Sequence, residues 1–206
     1  FFPIMPDCNG FYSIRKNSAS LFKDKGSKHL GFSFRVNTKE EIKEIVDRLR
    51  KENPKSNQVC YAYRLIENDH LLEFSNDDGE PSNSAGAPIL GQIKSNALFN
   101  TLVCVVRYFG GTKLGVSGLI NAYKTTAQDV LELSGSIICR VTYQCIISVD
   151  SKKLGTVLSF LSRQGIPIVN QSYSTLHEIT VHTTSSELET ISTKFESLAQ
   201  LEWKKI

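Results

Sequence analysis

Apolar and polar residues change period several times along this chain, and each change predicts an element. LGFSFRV alternates at period two, the spacing of a strand with one buried face, and ends near Val36. In the following NTKEEIKEIVDRLRKENP, Ile42, Ile45, Val46 and Leu49 recur at helical spacing. Thr38 and Glu41 carry the capping-box pattern at its start, and Pro54 stops it. QVCYAYRLI predicts a strand, with NDHLLEF pairing back onto it. The polar stretch SNDDGEPSNSAGAPIL reads as a loop that enters a helix at about Pro88. TLVCVVRYF is apolar almost throughout, so a central strand covered on both faces is expected. Beyond a glycine-rich stretch, Leu119, Tyr123, Ala127, Val130 and Leu131 form the stripe of a second long helix. Residues 1–30 are more broken and read as edge strands or a packed arm.

SGS at 134–136 closes this first unit, and the pattern restarts at Val141. VTYQCIISVD predicts a strand, and SKKLGTVLSFLSRQG a helix with Ser151 as N-cap and Gly165 just past its end. IPIVNQSYS and HEITVHTTS predict two more strands, with His177 and His182 on opposite faces. SELETISTKFESLAQ predicts a helix buried along Leu188, Ile191, Phe195 and Leu198, with Ser186 and Glu189 as its capping box. LEWKK completes the order β-α-β-β-α-β, the ferredoxin-like arrangement. The expected fold class is α+β, in two domains covering 1–138 and 139–206.

Composition narrows the class. The 206 residues are 40% apolar and 22% charged, ordinary for a globular protein. A net charge of +3 is too small to imply nucleic acid by itself. Five cysteines at 8, 60, 104, 139 and 145 form no zinc spacing and no disulfide framework. Cys104 and Cys145 sit in strand-like runs and are expected to be buried. The opening FFPIMPDCNG lacks the basic and apolar regions of a leader, and its first residue, Phe1, reads as a trimmed start. This cysteine usage reads as reduced thiols in a cytoplasmic protein, and no run is long enough to cross a bilayer, so no membrane contact is expected.

Four features have the residue types for chemistry or binding. In RYFGGTKLGVSGLINAY, a strand, a glycine loop and a helix follow one another, the order that presents backbone amides to an anion. Gly110, Gly111 and Gly115 do not match a nucleotide-binding fingerprint, and Lys113 lies inside the loop rather than at a Walker-type position. The glycines therefore read either as close packing or as an anion site with Lys113. Asp77, Asp78 and Glu80 suit either a hard cation, acid–base work or a turn whose carboxylates accept from the backbone. Ser82 and Ser84 lack the context of a nucleophile, and the four histidines build no triad. CYAYRL and VVRYF put Tyr beside Arg, suited either to stacking or to a core with a snorkelling Arg.

DDGEPSNSAGAPIL followed by LVCVVRYFGGTKLGVSGLINAY resembles the IMPACT family, in particular its bacterial YigZ branch. With CYAYRL the resemblance spans roughly residues 20 to 135. It implies an N-terminal domain of the ribosomal-protein-S5 domain-2-like type carrying both motifs, then a ferredoxin-like C-terminal domain. It implies no enzyme activity, catalytic residue, cofactor or metal. Relatives in eukaryotes are translation regulators acting through protein contacts, and the bacterial branch resembles nucleic-acid or ribosome binders in fold. The chain departs from the family pattern at Asn83-Ser84, Ser117, Asn121 and Gln58, where Gly-Thr, Gly, Arg and His are usual. Loss of the Arg weakens a grip on phosphates, and loss of the His removes a candidate for acid–base chemistry.

The two motifs are expected to wall one cleft, with Glu80 or Ser82 within reach of Arg107, Lys113 or Gly111. The expected ligand-binding set is Asp77, Asp78, Glu80, Ser82, Ser84, Arg107, Tyr108, Gly110, Gly111, Lys113 and Asn121. The function expected is a non-catalytic binding protein linked to translation, contacting RNA, the ribosome or a protein partner. The competing class is a hydrolase using Asp78 or Glu80 with an anion at the Gly110–Gly111 amides.

Overall fold

The computed structural model describes residues 10–67, 70–140 and 142–205. The expectations placed on Cys8, the leader region and Val141 lie outside these residues. By compactness the chain separates into two units, with the change between Ile138 and Cys139 and with Gly10 and Phe11 assigned to the second.

The first unit is built on a five-stranded sheet. Its strands are β2 (Ser18–Asp24), β3 (Ser27–Arg35), β4 (Gln58–Glu67), β5 (His70–Asn76) and β6 (Thr101–Tyr108). They run antiparallel in the order β2-β3-β6-β4-β5. β6 is central, and all but its last residue are buried. Its near-continuous apolar run reflects helices on both faces of an antiparallel sheet, not the parallel sheet that such runs usually mark. α1 (Lys39–Glu52) covers one face, where Ile42, Val46 and Leu49 meet Leu102, Cys104 and Val106. α2 (Gly86–Ser95) and α3 (Gly115–Ser134) cover the other, where Ile89, Ile93, Leu119 and Tyr123 meet Val103 and Val105. Thr38 caps α1 by accepting from the Glu41 amide, while Glu41 reaches back to the amide of Asn37. α2 starts two residues before Pro88. Residues expected as an arm or edge form β2, the start of β3 and β1 (Gly10–Ile14), which pairs with β7 (Ser136–Arg140) in a two-stranded ribbon.

The second unit holds β8 (Tyr143–Val149), α4 (Leu154–Gln164), β9 (Ile168–Tyr173), β10 (His177–Thr183), α5 (Ser185–Phe195) and β11 (Gln200–Lys205). The antiparallel sheet order β11-β8-β10-β9 is that of a ferredoxin-like fold. Cys145, Ile147 and Val149 pack with Val157, Leu161, Leu188, Ile191 and Phe195. Gly165 ends α4 in the left-handed region. Two expected caps are displaced. Ser151 does not cap α4, which starts at Leu154; its Oγ lies 3.1 Å from His177 Nε2, and Asp150 accepts from the Lys152 and Lys153 amides instead. The capping box of α5 is Thr184 with Glu187, two residues before the expected pair. Both pairs fit the pattern, but only Thr184 falls where β10 ends and the backbone is extended.

Candidate functional site

Strand alternation sets the geometry of the site. In β6, Val103, Val105 and Arg107 face α2 and α3, while Leu102, Cys104, Val106 and Tyr108 face α1. Register then places Arg107 opposite Gln58 on β4 and opposite His29 on β3. Three polar side chains thus form one cross-strand row at the end of the sheet.

Arg107 donates from Nη1 to Glu80 Oε1 at 2.5 Å, and the Tyr123 hydroxyl donates to the same oxygen at 2.8 Å. Cys60 Sγ lies 3.3 Å from the Tyr123 oxygen and 3.0 Å from the Asp77 carbonyl oxygen. His29 is fully buried, and its ring stands edge-on to Tyr123 at 5.3 Å. Both His29 ring nitrogens, Gln58 Oε1 and Arg107 Nε are buried without a hydrogen-bond partner. Burial lowers the His29 pKa to about 4, aided by the Arg107 charge and opposed by Asp24. Burial pushes the Cys60 thiol up to about 12; the Tyr123 hydrogen bond opposes this and Glu80, Asp78 and Asp77 add to it. Burial also raises Tyr123, with Cys60 and Glu80 acting in the same direction.

The acidic loop is built from its own carboxylates. Asp77 accepts from the Ala85 and Gly86 amides through Oδ1 and from Asn83 through Oδ2, which caps the start of α2. Asp78 accepts from Arg50 at 2.8 Å and from the Val59 amide at 2.7 Å. Ser84 is buried and donates to the Pro81 carbonyl. Asn83 adopts the left-handed backbone (φ 61) that this side chain tolerates. Glu80 is the one carboxylate of the three that enters the buried row.

The glycine loop resolves mainly into packing. A Cβ on Gly110 would lie 1.9 Å from the Gly26 carbonyl carbon, so only glycine lets this loop seat on the β2–β3 turn. The Gly110 amide donates to Ser27 Oγ, so it is not available to an anion as expected. Gly111 and Gly115 have positive φ with open space beside them, and α3 begins at Gly115 without a side-chain cap.

Between the two loops lies a pocket of about 420 Å³. Its polar lining is Asn57, Gln58, Glu80, Arg107 and Lys113, and its apolar lining is Pro81, Phe109, Leu114, Val116 and Leu119, with Gly115 between them. Of the residues expected to bind, the structure gathers Glu80, Arg107 and Lys113 there. Asp77, Asp78 and Ser84 serve the loop itself, and Ser82 is exposed with a single long contact from Asn83. Tyr108 points to the opposite face of the sheet and donates to Asn53; period two alone separates it from Arg107. Gly110 and Gly111 shape the turn, and Asn121 is exposed on α3 and does not line the pocket. His29, Cys60, Tyr123, Phe109 and the α3 residues Val116 and Leu119 were not in the expected set. Tyr123 stood out only as part of an apolar stripe, and nothing near His29 in sequence marks it. Among the described residues, no cluster of His, Cys, Asp or Glu suits a metal ion, and no helix is long and apolar enough to cross a membrane.

Comparison with known proteins agrees with the motifs. The model of the Impact N-terminal domain matches residues 25–131. The IMPACT family member YvyE of Bacillus subtilis is 35% identical over 149 residues, covering 72% of this chain and 68% of that protein. The IMPACT family member YigZ of Escherichia coli is 38% identical over 86 residues, covering 41% of this chain and 42% of that protein. A solved structure described as a hypothetical protein superposes with a TM-score of 0.69 at 23% identity, covering 94% of this chain and 96% of that one. That likeness establishes the fold.

Proposed function

This chain belongs to the IMPACT family, and from that premise we propose that it is a non-catalytic, cytoplasmic regulator linked to translation that works by contact with RNA. The exposed lysines around the pocket carry the reading, and the chemical state of the cleft argues against a catalytic role. General acid–base work needs a group that titrates near the working pH. Here His29 is held near 4, the Cys60 thiol near 12, and Tyr123 is raised further by burial. Asp77 and Asp78 are committed to backbone amides and Arg50, and Glu80 to Arg107. These restraints disfavour the hydrolase alternative.

Charge around the pocket favours RNA. Lys113 is exposed at the pocket, and Lys23, Lys25 and Lys28 are exposed around the β2–β3 turn on which Gly110 seats. The first turn of α3 carries no acidic residue, so its dipole adds to the positive face. A protein partner is the second reading, favoured by Phe109, Val116 and Ile120, which are exposed apolar residues in and after the glycine loop.

Titration with single-stranded RNA at several salt concentrations tests the proposal. With two or three phosphate contacts, log affinity falls against log salt with a slope of roughly −2, and dissociation constants lie in about the micromolar range or weaker. Lys113→Glu weakens binding. If wild type binds no RNA at low salt, or Lys113→Glu binds equally well, the RNA reading fails and the protein-partner reading replaces it.

A further inference from the structure

We propose that the pocket holds one nucleotide, with its base against Phe109 and the aliphatic wall and its phosphate at Lys113 and the first amides of α3. This rests on the RNA reading above and narrows it from a charged face to one site. The volume of about 420 Å³ is in the range of small-molecule sites.

Phe109 supplies the stacking surface. It is 45% exposed, and the Arg107 guanidinium carbon lies 5.7 Å from its ring centroid. The ring therefore has a supported position and an uncovered surface. Aromatic rings of this kind take bases of any sequence, because every base has a flat face. Leu119 and Val116 supply the apolar wall.

The phosphate position is fixed by charge and free amides. α3 is 20 residues long and begins without a side-chain cap or an acidic residue in its first turn. Lys113 lies two residues before Gly115, where a Cβ would meet only open space. Backbone donors, the positive helix end and an ammonium group thus border the pocket together, and Arg107 offsets the Glu80 carboxylate that lines it too.

The buried row supplies the third element. Arg107 is 7% exposed, lines the pocket, and has an unpartnered Nε donor. Gln58, opposite it in register, lines the same pocket, is only half-buried, and has an unpartnered Oε1 acceptor. Gln58 and Arg107 thus give the pocket a polar wall beside its apolar one. A simple carboxylate or phosphate would use Lys113 and the amides but leave Gln58 and Phe109 unmatched.

Amide NMR spectra of the full chain test this, titrated with ribonucleoside monophosphates, the matching nucleosides, inorganic phosphate and a short single-stranded oligoribonucleotide. At least one monophosphate is expected to move the signals of residues 113–119 together with Gln58 and Arg107. Phe109→Ala, at an exposed position, should weaken it about tenfold, and Lys113→Glu should abolish the phosphate-dependent part. Equal shifts with inorganic phosphate, no shift with any monophosphate, or unchanged binding by both variants overturns the proposal. Oligonucleotide binding that leaves residues 113–119 unmoved overturns the pocket but spares the RNA reading. Monophosphate binding without oligonucleotide binding does the reverse, and identifies the source as a free nucleotide.

Discussion

Arg107 and Glu80, twenty-seven residues apart in sequence, meet through a 2.5 Å hydrogen bond with both side chains almost wholly withdrawn from water. The pair ties the central strand to the acidic loop and lines the pocket. Removing one partner leaves an uncompensated buried charge. Glu80→Ala should therefore cost about 3 kcal/mol of stability. Glu80→Leu with Arg107→Met should recover most of it, since apolar groups of similar volume replace such pairs at little cost. Urea denaturation followed at the β6 amides distinguishes the two. A double variant no more stable than Glu80→Ala would refute the assignment.

His29 should make stability depend on pH in a defined window. Its folded pKa is about 4 against an ordinary 6.5. The unfolded chain thus binds the proton more readily, and stability falls as pH drops from about 6.5 through about 4. The loss relative to neutral pH approaches about 3 kcal/mol. His29→Gln should remove that part of the slope. The informative quantity is the difference between wild type and variant, because carboxylates titrate nearby in pH.

Two adjacent glycines should respond differently to alanine. At Gly110 a Cβ would collide with the backbone of Gly26 and Ser27, so the loop must lift from the β2–β3 turn. At Gly111 the space is open but φ is +87, a conformational cost of about 1 kcal/mol. Gly110→Ala should lower the melting temperature several times more than Gly111→Ala, and should shift the Ser27 amide signal. Equal effects would mean that close packing does not govern this loop.

The caps of α5 offer a test in the second unit. Thr184→Ala removes the side chain that accepts from the Glu187 amide and should cost about 1 kcal/mol. Ser186→Ala should stay within about 0.5 kcal/mol. Trp203, the single tryptophan, lies in β11 and reports unfolding by fluorescence. A larger effect at Ser186 would restore the cap expected from sequence.

Local signals were legible where one short stretch contains both halves of the interaction. Thr38 with Glu41, the α1 stripe, Gly165, and the burial of TLVCVVRYF all follow from residues a few positions apart. The choice between Thr184 and Ser186 was not legible, because both satisfy the same spacing and only the end of β10 decides between them. Alternation already separated Tyr108 from Arg107, but it did not say which face carried α2 and α3.

The sequence alone determined the family and the order of most elements, though not β1 or β7, and set the expectation that an acidic loop faces a glycine loop, since periodicity and two long motifs are properties of neighbouring residues. Tertiary structure alone decided what the cleft contains. His29, Gln58 and Arg107 become neighbours only through the register of three strands distant in sequence. Whether a carboxylate caps a helix, like Asp77, or neutralises a buried arginine, like Glu80, depends on what the folded chain brings within hydrogen-bond distance. Burial then sets the charge states: His29 is neutral because water is excluded and Arg107 stands beside it, a circumstance that no spacing along the chain encodes.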